Sequence, residues 1–184
     1  MTFSIDEARQ VMAEADLLHG QAEINAAIAK MGEKITEDMA DSNPIVFCVM
    51  NGGLIIAGQL LTHLNFPLQY EYIHATRYGD ETSGGKLLWK VPPKADLSGR
   101  NILVIDDILD EGNTLVEIVK SCQAAGAASV KVAVLIDKQH NRKADGAHAD
   151  FVGLSVQDRF LFGYGMDYKG YWRNAPGIYA VKGL

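Results

Sequence analysis

Cysteine is scarce in this chain of 184 residues: Cys48 and Cys122 stand in unrelated apolar contexts without paired spacing. They read as buried reduced thiols. A single domain of this length buries about 70% of the surface its unfolded chain exposes, so it needs no disulfide or metal staple. Long apolar runs are missing too, and none approaches the ~20 residues of a membrane span. The first residues, Met1-Thr2-Phe3-Ser4-Ile5-Asp6-Glu7, have neither the basic flank nor the apolar core of a signal peptide. A cytoplasmic protein with no membrane partner is the expectation. Nor is there a basic excess. The formal net charge is −6, and residues 1–43 account for it, with three basic side chains (Arg9, Lys30, Lys34) against nine acidic ones. A nucleic-acid arm needs Lys and Arg gathered on one face, so this acidic segment reads as a solvated helical face. Repeats and low-complexity tracts are absent. Fractions of 48% hydrophobic and 22% charged residues exclude disorder, collagen and a coiled-coil rod.

What is present is a change of hydrophobic period along the chain. Ser4 and Glu7 have capping-box spacing for a first helix. Ile24, Ile28, Met31, Ile35 and Met39 recur at helical intervals, and Pro44 ends that second helix. Ile45-Val46-Phe47-Cys48-Val49-Met50 then runs continuously apolar, the pattern of a strand covered on both faces. A turn at Asn51-Gly52-Gly53 leads to a helix over 54–64 and a strand over 68–75. Residues 76–95, with Gly79, Gly84, Gly85, Pro92 and Pro93, read as a long loop. A buried strand over 102–105, a helix over 114–125 and a strand over 130–136 follow. This order predicts an α/β domain with a parallel sheet flanked by helices on both faces. In such sheets the ligand sits at the carboxyl ends of the strands.

One such end is rich in chemistry: Ile102-Leu103-Val104-Ile105-Asp106-Asp107-Ile108-Leu109-Asp110-Glu111-Gly112-Asn113-Thr114-Leu115. Two adjacent carboxylates close a buried strand, a third follows, and a glycine and a hydroxyl residue open a helix. Backbone N–H groups around Gly112 can cradle a phosphate. Asp106 and Asp107 can accept hydrogen bonds from a sugar diol or hold a divalent cation through water. Three carboxylates this close repel one another unless a ligand or metal compensates. Competing motifs fail. Asn113 follows Gly112 where a Walker loop needs lysine, and Ile108 interrupts any EF-hand ligand series. Gly153-Leu154-Ser155-Val156-Gln157 lacks the second glycine of a nucleophile elbow.

The segment resembles the phosphoribosyl pyrophosphate (PRPP) signature of type I phosphoribosyltransferases, and over nearly the whole chain the similarity is to their hypoxanthine-guanine branch. Met50-Asn51-Gly52-Gly53, Arg77-Tyr78-Gly79-Asp80, Lys138, and Phe160-Leu161-Phe162-Gly163-Tyr164-Gly165-Met166-Asp167-Tyr168 followed by Tyr171-Trp172-Arg173 occur in the family's order. The resemblance implies a mostly parallel sheet with a core over about 40–150. It also implies a small hood from about 1–40 and 151–184, and a homo-oligomer, dimer or tetramer. It implies that Asp106 and Asp107 hold the ribose hydroxyls and that Asp110 is the general acid/base near purine N7. Asp110, Glu111, Gly112, Asn113 and Thr114 become the 5′-phosphate loop, and Asn51-Gly52 the pyrophosphate loop, often with a cis peptide. Lys138 becomes the donor to the purine 6-oxo group, Phe160 the stacking ring and Leu161 a backbone partner of the base. Arg173 is then a pyrophosphate contact, Asp106 and Asp167 are Mg²⁺ ligands, and Arg77-Tyr78 lies on a loop that closes over the site.

Two positions depart from the family pattern. Asn51 stands where lysine is common, which leaves pyrophosphate to Mg²⁺, Arg173 or backbone dipoles. Glu111 stands where threonine is common, and is expected to point away from the phosphate toward a basic residue. The implied activity is pentosyl transfer from PRPP to hypoxanthine and/or guanine in purine salvage, giving IMP or GMP and pyrophosphate. A non-catalytic PRPP-binding regulator would need a basic RNA face or a DNA-binding domain, and a transferase for xanthine or another base is the remaining alternative. Adenine is disfavoured, because an ammonium at position 138 opposes its donor 6-amino group. His74, His140 and His148 have no partner spacing and are given no role.

Overall fold

The computed structural model describes residues 4–78 and 86–184, with side chains at all of these except 77, 78, 86 and 87. The elements are α1 (Ile5–Glu14), β1 (Asp16–His19), α2 (Gln21–Met39), β2 (Ile45–Val49), α3 (Gly53–Leu60), β3 (Gln69–Tyr78) and β4 (Lys86–Val91). They continue as β5 (Asn101–Leu109), α4 (Asn113–Ala124), β6 (Ser129–Gln139), β7 (Phe151–Gln157), β8 (Leu161–Phe162) and β9 (Ile178–Ala180). The large sheet has the order β4-β3-β2-β5-β6-β7. Its β2, β3, β5, β6 and β7 pair in parallel, and β4 is an antiparallel edge.

The continuous apolar run of β2 is explained by its two covered faces. Val46 and Cys48, with Leu103 and Ile105 of β5, pack under Ile24, Ile28, Ile56 and Leu60 of α2 and α3. Ile45, Phe47 and Val49, with Ile102 and Val104, pack under Leu115, Ile118 and Cys122 of α4. Alternate residues of a strand point to opposite faces, so a strand at the sheet's centre has no position left for a polar residue. At α1 the capping box is formed, with the Glu7 N–H donating to Ser4 Oγ at 3.2 Å and the Ser4 N–H donating to Glu7 Oε2 at 2.6 Å.

The smaller sheet, β1-β9-β8, joins the two ends of the chain. Arg159 reaches Asp16 at 2.8 Å and the Trp172 indole N–H donates to Ala8 O at 2.7 Å. Its membership differs from the expected hood. The apolar stripe of α2 packs on the large sheet, and β7 is that sheet's sixth strand. The loop expected over 76–95 is corrected in part, because Lys86–Val91 forms β4, with Ala75 opposite Trp89 and Thr76 opposite Leu88. The glycines and prolines that suggested a loop flank a short β-favouring segment, Leu87-Leu88-Trp89, whose edge position tolerates exposed side chains. Residues 79–85 lie outside the described residues. Among the described residues, no helix is long and apolar enough to cross a membrane.

Candidate active site

The carboxyl ends of β2, β5 and β6 converge. β5 continues past the expected 105 to Leu109, so Asp106 and Asp107 are strand residues and not the start of a turn. Asp107 is 7% exposed. Burial pushes Asp106 well up from the usual carboxylate range, and the charge of Asp107 adds to this. Burial raises Asp107 as well, while the bond from Asp106 and the Arg173 guanidinium pull it back. A pair of desolvated carboxylates facing one arginine favours hydroxyl donors or a hard cation. The loop after β2 closes over them, with a cis peptide bond between Met50 and Asn51. Gly52 is required by this approach: a Cβ there would lie 2.1 Å from Asp107 Oδ2.

The start of α4 offers backbone donors. Gly112 sits at φ 77°, a left-handed conformation that glycine adopts freely, and no side chain caps the start of α4. The first N–H groups of that helix face a cleft of about 380 Å³ lined by Asp106, Asp110, Glu111, Thr114 and Arg142. Uncapped donors and the helix dipole favour an anion there. Glu111 is exposed, and its hydrogen-bond partner is the Asn113 side-chain amide at 2.9 Å. That corrects the expected basic partner: among the described residues a neutral amide two residues away is nearer than any cation, and Arg142 only feels the charge of Glu111 from a distance.

A second cleft, about 210 Å³, shares Asp107, Ile108 and Asp110 with the first and is otherwise lined by Lys138, Phe160 and Arg173 among others. Lys138, 8% exposed, donates to Asp110 Oδ2 at 2.9 Å and lies 3.2 Å from Asp158 Oδ1. Two of the three Nζ hydrogens are thereby directed, and one remains for a ligand. His140 Nε2 lies 2.7 Å from Asp110 Oδ1. Burial alone would raise Asp110, yet the hydrogen bonds from Lys138 and His140, with the charge of the Lys138 ammonium, hold it below the ordinary carboxylate value. Arg142 clasps Asp158 at 2.5 and 3.0 Å.

Phe160 is 45% exposed, lines this cleft and meets Tyr168 at 5.4 Å with the ring planes 78° apart. Leu161 is buried and pairs with Ala180 across the small sheet. Arg173 pairs with Asp167 and donates to Gly165 O at 2.6 Å, while Asp167 also accepts the Gly170 N–H at 2.7 Å. Asn51 is exposed at the mouth of the loop. The side chains of Arg77 and Tyr78 lie outside the described residues, so the site is assembled from the remaining positions. His140, Arg142 and Asp158 are the residues that sequence reasoning missed. One signal was available for His140: if the strand of Lys138 continues, residues two apart share a face.

Curated relatives bear on this geometry. Over 166 residues the chain is 34% identical to the hypoxanthine-guanine-xanthine phosphoribosyltransferase of Tritrichomonas foetus, covering 90% of this chain and 91% of that protein. Over 167 residues it is 35% identical to the hypoxanthine-guanine phosphoribosyltransferase of Bacillus subtilis (strain 168), covering 90% and 92%. A solved hypoxanthine-guanine-xanthine phosphoribosyltransferase superposes with a TM-score of 0.84 at 32% identity, covering 93% of this chain and 99% of that one. The model of the phosphoribosyl transferase domain matches residues 15–169. Fold and relatives agree, and the chain belongs to the phosphoribosyl transferase domain family.

Proposed function

We propose that this enzyme transfers the phosphoribosyl group of PRPP to N9 of hypoxanthine and/or guanine, releasing pyrophosphate and forming IMP or GMP in purine salvage. The observation that carries the reading is the position of Asp110, on the wall shared by a backbone-lined anion cleft and a cleft holding a buried lysine donor and an exposed aromatic ring. The 5′-phosphate takes the N-terminus of α4, with Gly112, Asn113 and the Thr114 hydroxyl. The ribose hydroxyls donate to Asp106 and Asp107. The purine lies against Phe160, with its 6-oxo group accepting from Lys138 and its edge against the Leu161 backbone. N9 attacks the anomeric carbon as the bond to pyrophosphate breaks, and the N7 proton passes to Asp110. Cleavage develops oxocarbenium-like charge, so no side-chain nucleophile is needed and catalysis rests on positioning and electrostatics.

The donor set fits Mg²⁺: Asp106 and Asp167 offer hard carboxylate oxygens, and this ion binds through one or two carboxylates plus substrate phosphates. When bound, Mg²⁺ supplies the charge neutralisation of pyrophosphate that Asn51 cannot. The same reading carries a cytoplasmic homo-oligomer, dimer or tetramer, which sedimentation distinguishes. The direct test is incubation with PRPP, Mg²⁺ and either hypoxanthine or guanine. IMP or GMP should appear in step with pyrophosphate; PRPP binding without either product would favour a non-catalytic regulator.

A further inference from the structure

The site holds a buried group that the proposed reaction leaves unused, the imidazole of His140, whose ring is 3% exposed. Two hydrogen bonds fix where its proton sits. The Arg142 backbone N–H donates to Nδ1 at 3.0 Å, so Nδ1 presents a lone pair. A neutral imidazole carries one N–H, which is therefore on Nε2 and directed at Asp110 Oδ1, 2.7 Å away. A second proton would set N–H against N–H at Arg142. The ring is a donor toward the carboxylate and nothing else.

Around it the polar groups close into a ring. Asp110 Oδ2 accepts from Lys138, which reaches Asp158; Asp158 is clasped by the Arg142 guanidinium, and the Arg142 backbone returns to His140. The two oxygens of Asp110 are thus inequivalent. Oδ1 faces a buried donor that has no other partner to turn to. Oδ2 faces Lys138, in the cleft that Phe160 and Leu161 also line.

We propose that His140 is a positioning residue: it holds Asp110 by Oδ1 and leaves Oδ2 as the oxygen that exchanges a proton with the purine. This rests on the reading of Asp110 as the general acid/base. As the N9–carbon bond forms, the N7–H bond breaks toward Oδ2, its electron pair stays in the purine ring, and solvent later removes the proton from Asp110. The same hydrogen bond stabilises the ionised carboxylate. Lys138, Arg142 and Arg173 as cations, and Asp106, Asp107, Glu111, Asp158 and Asp167 as anions, are the other charged groups around Asp110 in the two clefts. All of them stay in place when only the imidazole is removed.

The test uses the full chain with saturating PRPP, hypoxanthine and Mg²⁺. Partners that orient a reacting group are typically worth about 10- to 100-fold in activity, and kcat of His140→Ala should fall by that order while KM for PRPP is little changed. The acidic limb of its kcat–pH profile should move to higher pH. His140→Gln, whose Nε2–H can reach the same oxygen, should recover most of kcat and return the limb. Nitrogen NMR of the wild-type ring, which needs no turnover, should show a bare Nδ1 and a protonated Nε2 at neutral pH. Wild-type kcat with an unmoved limb in His140→Ala would overturn the proposal and leave the transferase reading intact. A proton found on Nδ1, or equal loss in the Ala and Gln variants, would do the same. A wild-type chain that binds PRPP but turns over neither base would instead refute the underlying reading, and the proposal with it.

Discussion

The two ends of the cleft are built from different material. At the proposed phosphate end the donors are backbone N–H groups of one short stretch, aimed by a left-handed glycine and an uncapped helix start. At the proposed base end they are side chains from β6, the turn after it and the C-terminal segment, held in place by one another's charges. A backbone cradle is insensitive to pH and fails when its shape is changed. A ring of charged side chains is tunable, and fails when one partner is deleted. Asp110 stands between them and belongs to both.

That contrast can be broken at several points. The largest effect should come from removing the metal: activity should vanish in EDTA and return with Mg²⁺ or Mn²⁺, since the loop at Asn51-Gly52 carries no cation to neutralise pyrophosphate. Full activity in chelator would mean that Arg173 and backbone dipoles suffice. Next, Asp110→Asn should lose about 10²–10⁴-fold in kcat, the usual range for general acid/base work. Calorimetry should find PRPP still bound by this variant. Near-normal turnover would remove Asp110 from the chemistry.

A change of shape alone should also be costly. Gly52→Ala places a methyl 2.1 Å from Asp107 Oδ2. Overpacking of about 1–3 kcal/mol should lower kcat/KM for PRPP by about 5- to 150-fold without altering the choice among bases. An unchanged kcat/KM would show that the loop yields easily. The smallest effect is on stability. Gly112→Ala forces a side chain to φ 77°, with its Cβ 2.6 Å from that of Ala147. A cost of about 1–3 kcal/mol is expected there. For a chain of this size each kcal/mol lowers Tm by about 2–4 °C, so a calorimetric scan with no shift would contradict the turn geometry.

The same contrast explains what could be read from the sequence. The phosphate end is contiguous, so Asp106 to Thr114 announced itself as strand, carboxylates, glycine and helix. The helices and buried strands were legible because each repeats a local period. The edge strand β4 was not, because glycines and prolines surround a segment held by non-local contacts, the pairing with β3 and the packing of Trp89 on the core. The base end was legible only through family resemblance, at Lys138 and Phe160. His140 offers only its two-residue spacing from Lys138, and Asp158 no local signal: 30 residues separate His140 from Asp110, and the parallel register of β5 and β6 brings them together. Glu111 was misread for a related reason. A like charge beside a phosphate suggested a cation, whereas the Asn113 amide was already at hand.

In the proposed reaction a buried ammonium held in a ring of side chains selects the base, and Lys138→Met is the sharpest probe of that role. An unpaired polar group in the pocket typically costs ~1–3 kcal/mol, about 5- to 150-fold in specificity. Measured with PRPP and Mg²⁺ against hypoxanthine, guanine and adenine, kcat/KM should fall by that order for the two 6-oxopurines. The gap to adenine should narrow, PRPP affinity should hold, and the acidic limb of kcat should rise as Asp110 loses its cation. Unchanged kcat/KM for all three bases would contradict the claim and move base recognition to Phe160 and the backbone at Leu161.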